Sequence, residues 1–367
     1  MRIRQIDIFK APFRLKNPFV ISLESFSAAM NIFLLIRSNE GLTGSGECSP
    51  FMSIHGESMD SCFIIAQKLA KVLLGKSSNP SECAEWMDKA VYGNSSIKSA
   101  FDMAIHDLVS QEAGIPLYQL LGGKEKRTLI TDYTVSLGKV EEMVAAAIEI
   151  KENGFQFIKV KLGGDASEDI LRIQKIRESI GDFIPLRIDA NQGWKVESAI
   201  EILNALESSG IQHCEEPLPR WDYMNLRKIK ESTSIPIMAD ESCWDHHDAE
   251  RLIELKACHL FNLKLGKSSG FGQALKIIRL AEKENMKMQA GGFLESRLGF
   301  TAAAHLALAS PLIQFIDFDT PLMHAEDPVM EGITYGYGGQ IEVPSLPGLG
   351  ASIDPEFLKG LEKISIH

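Results

Sequence analysis

The repeating order of residues 127–320 constrains this chain most. Amphipathic segments alternate with eight short apolar segments of the kind that form buried strands, namely Leu129–Val135, Phe155–Leu162, Pro185–Asp189, Ile211–Glu215, Ile235–Ala239, Leu260–Lys264, Met286–Ala290 and Ile313–Phe318. Gly154, Gly181 and Gly210 stand where the amphipathic segments stop, as glycine does after a helix. Eight units with a period of about 26 residues predict an α/β fold, a (β/α)7β barrel of the TIM type.

A second domain is predicted before the barrel. Two strands (Met1–Phe13, Met30–Ser38) and two helices (Ser58–Leu74, Ser96–Glu112) give it an α+β pattern. We expect an α+β capping domain at 1–125, the barrel at 126–325, and a Gly- and Pro-rich segment at 326–367 that packs back on the capping domain. A doubly wound open sheet is the alternative, but the Gly-rich nucleotide turn that normally follows its first strand is not found.

Composition narrows the classes of function. Asp and Glu total 49 against 38 Lys and Arg, and this net charge of −11 argues against a nucleic-acid partner. No apolar run approaches 18 residues, and Met1–Lys16 has no apolar core of a signal peptide, so neither a membrane span nor secretion is expected. Six scattered cysteines without a Cys-x-x-Cys motif predict reduced thiols in a cytoplasmic protein.

Carboxylates stand at the carboxyl ends of three consecutive predicted strands. Asp189, Glu215 and Asp240 are separated by 26 and 25 residues, which is one βα unit per step. In a barrel the carboxyl ends of the strands meet at one mouth, so these side chains should converge. Any one of them alone could cap a helix, but three oxygen ligands in an arc suit Mg²⁺.

Lysines occupy the strand ends on both sides of that arc. Lys159 and Lys161 are two residues apart and share a face, so we expect them to lower each other's pKa. Lys264 ends a predicted strand on the opposite side of the mouth. Two lysines on opposite sides of a metal-bound substrate suggest proton transfer at both faces of one carbon, as racemisation or epimerisation requires.

Other residues at the mouth are candidate ligand contacts. Asp317 and Asp319 share a face of the last strand and could hold a substrate ammonium, or form a solvated pair. Thr134 and Asn191 lie where they could hydrogen-bond a ligand, and Gly292 would let a ligand approach the backbone. Each of these three could equally be structural.

The motifs together resemble the enolase superfamily, muconate-lactonizing subgroup. They are Lys159-x-Lys161, Asp189-Ala190-Asn191-x-x-Trp194, Glu215-Glu216-Pro217, Ala239-Asp240-Glu241-Ser242 and Asn262-x-Lys264. Asp317-Phe318-Asp319 and Gly292-Phe293-Leu294-Glu295-Ser296 look most like the dipeptide epimerases. The resemblance extends over almost the whole chain.

The resemblance implies an isomerase that binds a small dipeptide and inverts the α-carbon of its C-terminal residue. It implies Mg²⁺ on Asp189, Glu215 and Asp240, with Lys161 and Lys264 as the acid and base. Lys159 would assist carboxylate binding and lower the pKa of Lys161, and Asp317 with Asp319 would hold the ammonium. Loops near Val20–Ser27 and Phe51–Glu57 would cover the site.

The resemblance implies that Ala-Glu epimerases of this group carry an arginine in the first lid loop, which pairs with the glutamate side chain of the substrate. The substrate specificity of this chain is expected to differ from theirs. Here Pro18–Phe26 contains no arginine and one acid, Glu24. We therefore predict an L-Ala-X dipeptide with apolar X, or a cationic X paired with Glu24. The alternatives are an Ala-Glu epimerase, an o-succinylbenzoate synthase or cycloisomerase, and a non-catalytic barrel; a homo-oligomer is left open.

Overall fold

The computed structural model describes all 367 residues, and an α+β domain comes first. Its elements are β1 (Ile3–Val20), β2 (Ser25–Ser38), β3 (Thr43–Cys48), α1 (Met59–Leu73), α2 (Pro80–Ala90), α3 (Ser95–Glu112) and α4 (Leu117–Leu120). The strands pair antiparallel, and β3 forms one edge of the sheet. The connection between β1 and β2 carries the first lid loop, while the second lid loop lies between β3 and α1.

Two helices of this domain, α2 and the single turn α4, were not predicted. α2 begins after Asn79, whose side chain caps it, and has Pro80 at its first position. Only Cys83 and Met87 of this helix are buried. Two buried positions give a weak apolar period, and the sequence pattern therefore missed a helix that local capping and tertiary packing define.

The barrel follows the predicted alternation. It contains β4 (Leu129–Ile130), β5 (Tyr133–Val135), α5 (Val140–Glu152), β6 (Ile158–Lys161), α6 (Ala166–Ile180), β7 (Leu186–Asp189), α7 (Val196–Ala205), β8 (Ile211–Glu215), α8 (Leu226–Ser232), β9 (Ile237–Ala239), α9 (His246–Glu254), β10 (Leu260–Leu263), α10 (Phe271–Lys283), β11 (Lys287–Ala290), α11 (Arg297–Ala307), β12 (Ile313–Ile316) and α12 (Thr320–Met323).

Eight strands, β5 to β12, form one parallel sheet in sequential order. The backbone N–H of Asp132 donates to the carbonyl of Ile316 at 3.3 Å, which brings the last strand back to the first. The predicted fold class, a (β/α)7β barrel with an α+β cap, is confirmed. The predicted first strand is split, because Thr131 and Asp132 interrupt it between β4 and β5.

The C-terminal segment contacts both domains. Its elements are β13 (Val329–Glu331), β14 (Thr334–Tyr335), β15 (Gln340–Glu342), β16 (Ala351–Ile353), α13 (Pro355–Leu358) and β17 (Lys363–Ile366). β15 pairs with β4, while β17 pairs with β1 in the sheet of the capping domain. The domain bounds 1–125, 126–325 and 326–367 stay a prediction. No helix combines the length and the apolar composition that crossing a bilayer would need.

Acid should weaken the junction of these parts through His305. Its Nδ1 accepts a hydrogen bond from the N–H of Tyr118 at 3.1 Å, and its Nε2 lies 3.0 Å from the Leu349 carbonyl, to which it donates. Burial lowers the pKa of His305 to about 4. Because the folded pKa lies below the unfolded value of about 6.5, protonation favours the unfolded state. The stability is therefore complete above pH 6.5 and falls as the pH is lowered toward 4.

We therefore expect the free energy of unfolding to fall by about 2 kcal/mol between pH 7 and pH 5 through this side chain. Urea titrations at the two pH values should show a smaller loss in His305→Gln than in the wild type. His247→Gln is the control, because that side chain is 73% exposed. An equal pH loss in His305→Gln and the wild type would contradict this expectation.

Candidate active site

Three acidic side chains form an arc at the carboxyl ends of β7, β8 and β9. Asp189 and Glu215 are register partners on neighbouring strands, and Asp240 directly follows β9. All three are fully buried. The carboxylates converge because equivalent positions of successive strands in a parallel barrel project toward one mouth.

A lysine lies at each end of the arc. The Nζ of Lys161 is 2.7 Å from Oδ2 of Asp189, and the Nζ of Lys264 is 2.7 Å from Oδ2 of Asp240. Lys161 ends β6, and Lys264 follows β10, four strands further round the barrel. The two amines therefore approach the arc from its two opposite ends.

The middle carboxylate, Glu215, is fixed by three donors. Lys159 Nζ and Gln289 Nε2 donate to its Oε2 at 2.8 and 3.0 Å, and Asn262 Nδ2 donates to its Oε1 at 2.8 Å. These donors come from β6, β10 and β11 and lie beneath the mouth of the barrel. These three hydrogen bonds restrict the Glu215 side chain to one rotamer, as the hydrogen bonds around a metal-binding carboxylate do.

Asp240 is held by a lysine that the sequence analysis did not single out. Lys267 is 2% exposed, forms an ion pair with Asp240, and donates to the carbonyls of Cys243 and Asn262, both at 3.0 Å. Burial raises the pKa of Asp240, but Lys264 and Lys267 outweigh it and hold that pKa below its ordinary value. Asp240 is therefore ionised.

The donor set fits a hard divalent cation. Asp189, Glu215 and Asp240 supply carboxylate oxygens from consecutive strands, the ligand type that Mg²⁺ prefers. Neither carboxylate oxygen of Asp240 accepts a well-directed hydrogen bond, although both are buried and near cations. Buried carboxylate oxygens of this kind are available to a metal ion.

The expected lowering of lysine pKa values by neighbouring amines does not hold for Lys159. Burial lowers its pKa, yet Asp317, Glu215 and Asp189 raise it well above the ordinary value. At Lys264, burial likewise lowers the pKa and Asp240 raises it, and the net effect is a raised pKa. The sequence placed these three carboxylates at the same mouth, but it did not show that all of them contact Lys159.

A second acidic cluster lies across the mouth from the arc. Asp132, Asp317 and Asp319 each have a carboxylate oxygen within 4.8 Å of the other two. Arg187 pairs with Asp132 at 2.7 Å, and Lys159 pairs with Asp317 at 2.8 Å.

Asp319 has no cationic partner of its own. It accepts from the backbone N–H of Thr134 at 2.6 Å, and burial together with Asp317 raises its pKa to about 7. A buried carboxylate beside another carboxylate is stabilised by a cation, and a substrate ammonium would supply one.

The lid covers the mouth with apolar side chains. Thirteen residues line the pocket below it, namely Phe19, Ile21, Phe51, Ile54, Thr134, Lys161, Asn191, Lys264, Gly292, Phe293, Asp317, Asp319 and Thr320. The pocket volume is only about 30 Å³, so the lid is closed and must move to admit a substrate. Glu24 is exposed and does not line this pocket.

Two contacts hold the lid in this position. Ser22 Oγ donates to the carbonyl of Asn191 at 2.7 Å, and Arg220 donates to the carbonyl of Ile54 at 2.6 Å. Phe293 packs against Phe51 from below, with ring centroids 5.1 Å apart, and its ring lies 4.7 Å from Nζ of Lys264. Water is thereby kept from the lysine by aromatic contacts.

Comparison with known proteins agrees with this geometry. Residues 3–122 match the N-terminal domain of the mandelate racemase and muconate lactonizing enzyme family, and residues 142–357 match the enolase C-terminal domain-like family. The chain belongs to the enolase superfamily. Within it, this member falls in the dipeptide epimerase group, as its motifs indicated.

Two curated relatives and one solved structure illustrate the match. The chain is 56% identical over 368 residues to a D-Ala-D/L-Ala epimerase of Cytophaga hutchinsonii, covering 100% of both chains. It is 39% identical to an L-Ala-D/L-Glu epimerase of Bacillus subtilis, covering 98% of this chain and 99% of the relative. The Cytophaga hutchinsonii dipeptide epimerase, solved with Mg and D-Ala-L-Val, superposes with a TM-score of 0.99 over 100% of both chains.

All eleven residues that the sequence nominated in this superfamily member lie at the barrel mouth. They are Lys159, Lys161, Lys264, Asp189, Glu215, Asp240, Asp317, Asp319, Thr134, Asn191 and Gly292. Their individual roles stay predictions. Sequence reasoning missed Lys267, Gln289 and Asp132. Lys267 carried a usable signal, since it follows Lys264 by three residues in the loop beside the carboxylate arc.

Proposed function

We propose that this protein is a Mg²⁺-dependent dipeptide epimerase that inverts the α-carbon of the second residue of an Ala-X dipeptide with apolar X. The observation that carries the proposal is the placement of Lys161 and Lys264 at opposite ends of one carboxylate arc, with a separate acidic pair across the mouth. A non-catalytic barrel would need neither feature. The relatives named as dipeptide epimerases support the same reaction.

The acidic pair would orient the substrate. Asp317 and Asp319 line the pocket and would hold the α-ammonium of the first residue, while Lys159, beneath the arc, would assist the terminal carboxylate. The second α-carbon would then lie between Lys161 and Lys264. Fixing both ends of the dipeptide supplies the orientation that proton transfer requires.

Inversion requires one proton to leave and another to arrive on the opposite face. One lysine, as a free amine, takes the α-proton, and the other, as an ammonium, gives a proton to the other face of the carbon. When bound between Asp189, Glu215 and Asp240, Mg²⁺ supplies positive charge for the carboxylate as negative charge builds up on it. The closed lid keeps water away, which strengthens these electrostatic interactions.

The pocket lining supports an apolar second residue. The lid contributes Ile21, Phe51 and Ile54, and none of these can pair with a charged side chain. A glutamate side chain would be desolvated without a partner, which argues against the Ala-Glu alternative. Glu24 is exposed, which also disfavours a cationic X.

Lyase chemistry is a weaker candidate. A cycloisomerase or o-succinylbenzoate synthase substrate has no ammonium for the acidic pair, and Asp319 would then stay without a cation. The six unpaired cysteines support the further proposal of a cytoplasmic location.

The test is α-proton exchange in D2O, followed by NMR, on a panel of Ala-Ala, Ala-Val and Ala-Glu. The sequence predicts L-Ala as the first residue, whereas the Cytophaga hutchinsonii relative is named for D-Ala. Each dipeptide is therefore supplied once with L-Ala and once with D-Ala as its first residue. We expect kcat/KM for Ala-Val to exceed that for Ala-Glu by about tenfold or more. EDTA should abolish exchange, and Mg²⁺ should restore it.

Two outcomes would overturn parts of this proposal. Faster turnover of Ala-Glu than of Ala-Val would contradict the apolar second residue. Absence of exchange with every dipeptide, together with loss of water from a hydroxylated succinylcyclohexadiene carboxylate, would replace the epimerase by the lyase.

A further inference from the structure

A second cavity lies beside the substrate pocket and is much larger. Its volume is about 670 Å³, against about 30 Å³ for the closed substrate pocket. The end of β1, the loop after β5 and one side of α5 border it, and it opens to solvent beside the exposed side chains of Lys16, Glu142 and Glu149. Its apolar lining includes Met143, Ile150, Phe155 and Met323.

Only two residues line both spaces, Phe19 and Thr134. These two residues therefore form the partition between the substrate pocket and the larger cavity. The ring of Phe19 lies 5.8 Å from Nζ of Lys161, which places it at the edge of the reacting groups.

The partition stands at the end of the pocket that would hold the first residue of the dipeptide. Thr134 donates its backbone N–H to Asp319, one of the two carboxylates that would bind the α-ammonium. A substituent on the first α-carbon lies close to that ammonium. It would therefore meet the Phe19 ring before it could reach the larger cavity.

The ring of Phe19 is the removable part of this partition. The backbone beside it is fixed, because Phe19 pairs with Phe26 across β1 and β2 and the carbonyl of Val20 accepts from Leu137 N–H at 3.0 Å. The side chain itself is only half-buried. Shortening it would join the two spaces without altering a backbone hydrogen bond.

The charges around the larger cavity restrict what it can accept. Glu142 and Glu149 line it, and the only basic residue in the lining, Lys16, already donates to the Leu322 carbonyl at 2.9 Å. An acidic side chain would be repelled there, whereas an aliphatic one would meet Met143 and Phe155.

We propose that Phe19 limits the first residue of the dipeptide to alanine by closing the substrate pocket against this cavity, and that the cavity takes a larger aliphatic first residue once Phe19 is shortened. The proposal rests on the epimerase function proposed above. It concerns the first position only and leaves the preference at the second position unchanged.

The test compares Ala-Ala, Leu-Ala, Glu-Ala and Ala-Leu in the wild type, Phe19→Ala and Phe26→Ala. Phe26 is the matched control, since it is the register partner of Phe19 in the same lid and lines neither cavity. In Phe19→Ala the ratio of kcat/KM for Leu-Ala to that for Ala-Ala should rise about tenfold or more. The Ala-Leu to Ala-Ala ratio should stay constant, and Glu-Ala should gain nothing.

Phe26→Ala should leave the Leu-Ala to Ala-Ala ratio as in the wild type, even if a looser lid lowers both rates. If Phe19→Ala is too slow to assay, Phe19→Leu replaces it. Calorimetry in the presence of Mg²⁺ then gives the ratio of the dissociation constants for Leu-Ala and Ala-Ala, which answers the same question. An unchanged ratio, a change at the second position instead, or a wild type that already accepts Leu-Ala would overturn the proposal.

Failure of this inference is distinguishable from failure of the proposed function. A wild-type protein that turns over Ala-Ala, with a Phe19→Ala variant that gains nothing on Leu-Ala, would remove the role of Phe19 only. A wild-type protein that exchanges no dipeptide would remove the epimerase itself.

Discussion

Replacing Lys264 by alanine should give a protein that exchanges the α-proton of one epimer with solvent but inverts neither. The remaining Lys161 reaches the substrate from its own end of the carboxylate arc, where it lies 2.7 Å from Asp189. It can still remove the proton on that face and return a deuteron to it. Nothing remains to deliver a proton to the opposite face.

Lys161→Ala should show the mirror result, with exchange confined to the other epimer. We expect inversion to fall by about 10³-fold or more in each variant, the loss typical of removing a positioned acid or base. Each epimer of the preferred Ala-X dipeptide is incubated separately in D2O with Mg²⁺, and NMR and chiral chromatography measure exchange and inversion.

Lys228→Ala provides the control, because that lysine is exposed and has only a 3.8 Å contact with Glu197. It should retain wild-type exchange and inversion. Exchange of the same epimer by both active-site variants would refute the two-sided arrangement. So would inversion above about a tenth of the wild-type rate in either variant.

The convergence of these side chains could be predicted because a parallel barrel leaves little freedom. One βα unit per step fixes the height of Asp189, Glu215 and Asp240, and a two-residue spacing fixes the shared face of Lys159 and Lys161. The sequence therefore predicts both lysine ends and the carboxylate arc.

Contacts between distant strands could not be predicted in the same way. Lys159 reaches Asp317, which directly follows β12, and Gln289 reaches Glu215 from β11. Such contacts depend on side-chain rotamers and on the curvature of the sheet, neither of which has a period in the sequence. For the same reason, the motif did not show that Asp189, Glu215 and Asp317 all contact Lys159.

The lid was predicted as two loops, but the part played by Phe19 was not. Its position as a partition depends on how the capping domain sits over β5 and α5. A single aromatic residue in an extended segment carries no signal for such a contact. Only the docking of two separately folded parts creates it.

Replacing Asp319 by asparagine should cost the protein its preference for a free amino terminus. Asp319 is 2% exposed and accepts a hydrogen bond from the backbone N–H of Thr134. Because it has no cationic partner of its own, the substitution leaves the carboxylate arc and its lysines intact. Removing one partner of a buried, hydrogen-bonded charge pair costs about 2–5 kcal/mol, and we expect kcat/KM for the preferred dipeptide to fall about 10²- to 10³-fold. The readout is the ratio of kcat/KM for the dipeptide to that for its N-acetyl derivative.

Asp317→Asn separates ammonium recognition from the positioning of the metal ligands. Asp317 also accepts from Lys159, which contacts Glu215 and Asp189 at 2.8 and 3.1 Å. This variant should therefore alter the Mg²⁺ concentration needed for half-maximal activity as well as the dipeptide preference, whereas Asp319→Asn should alter the preference alone. An undiminished preference for the free amine in both variants would mean that the acidic pair does not hold the ammonium, and the dipeptide assignment would then lose its main structural support.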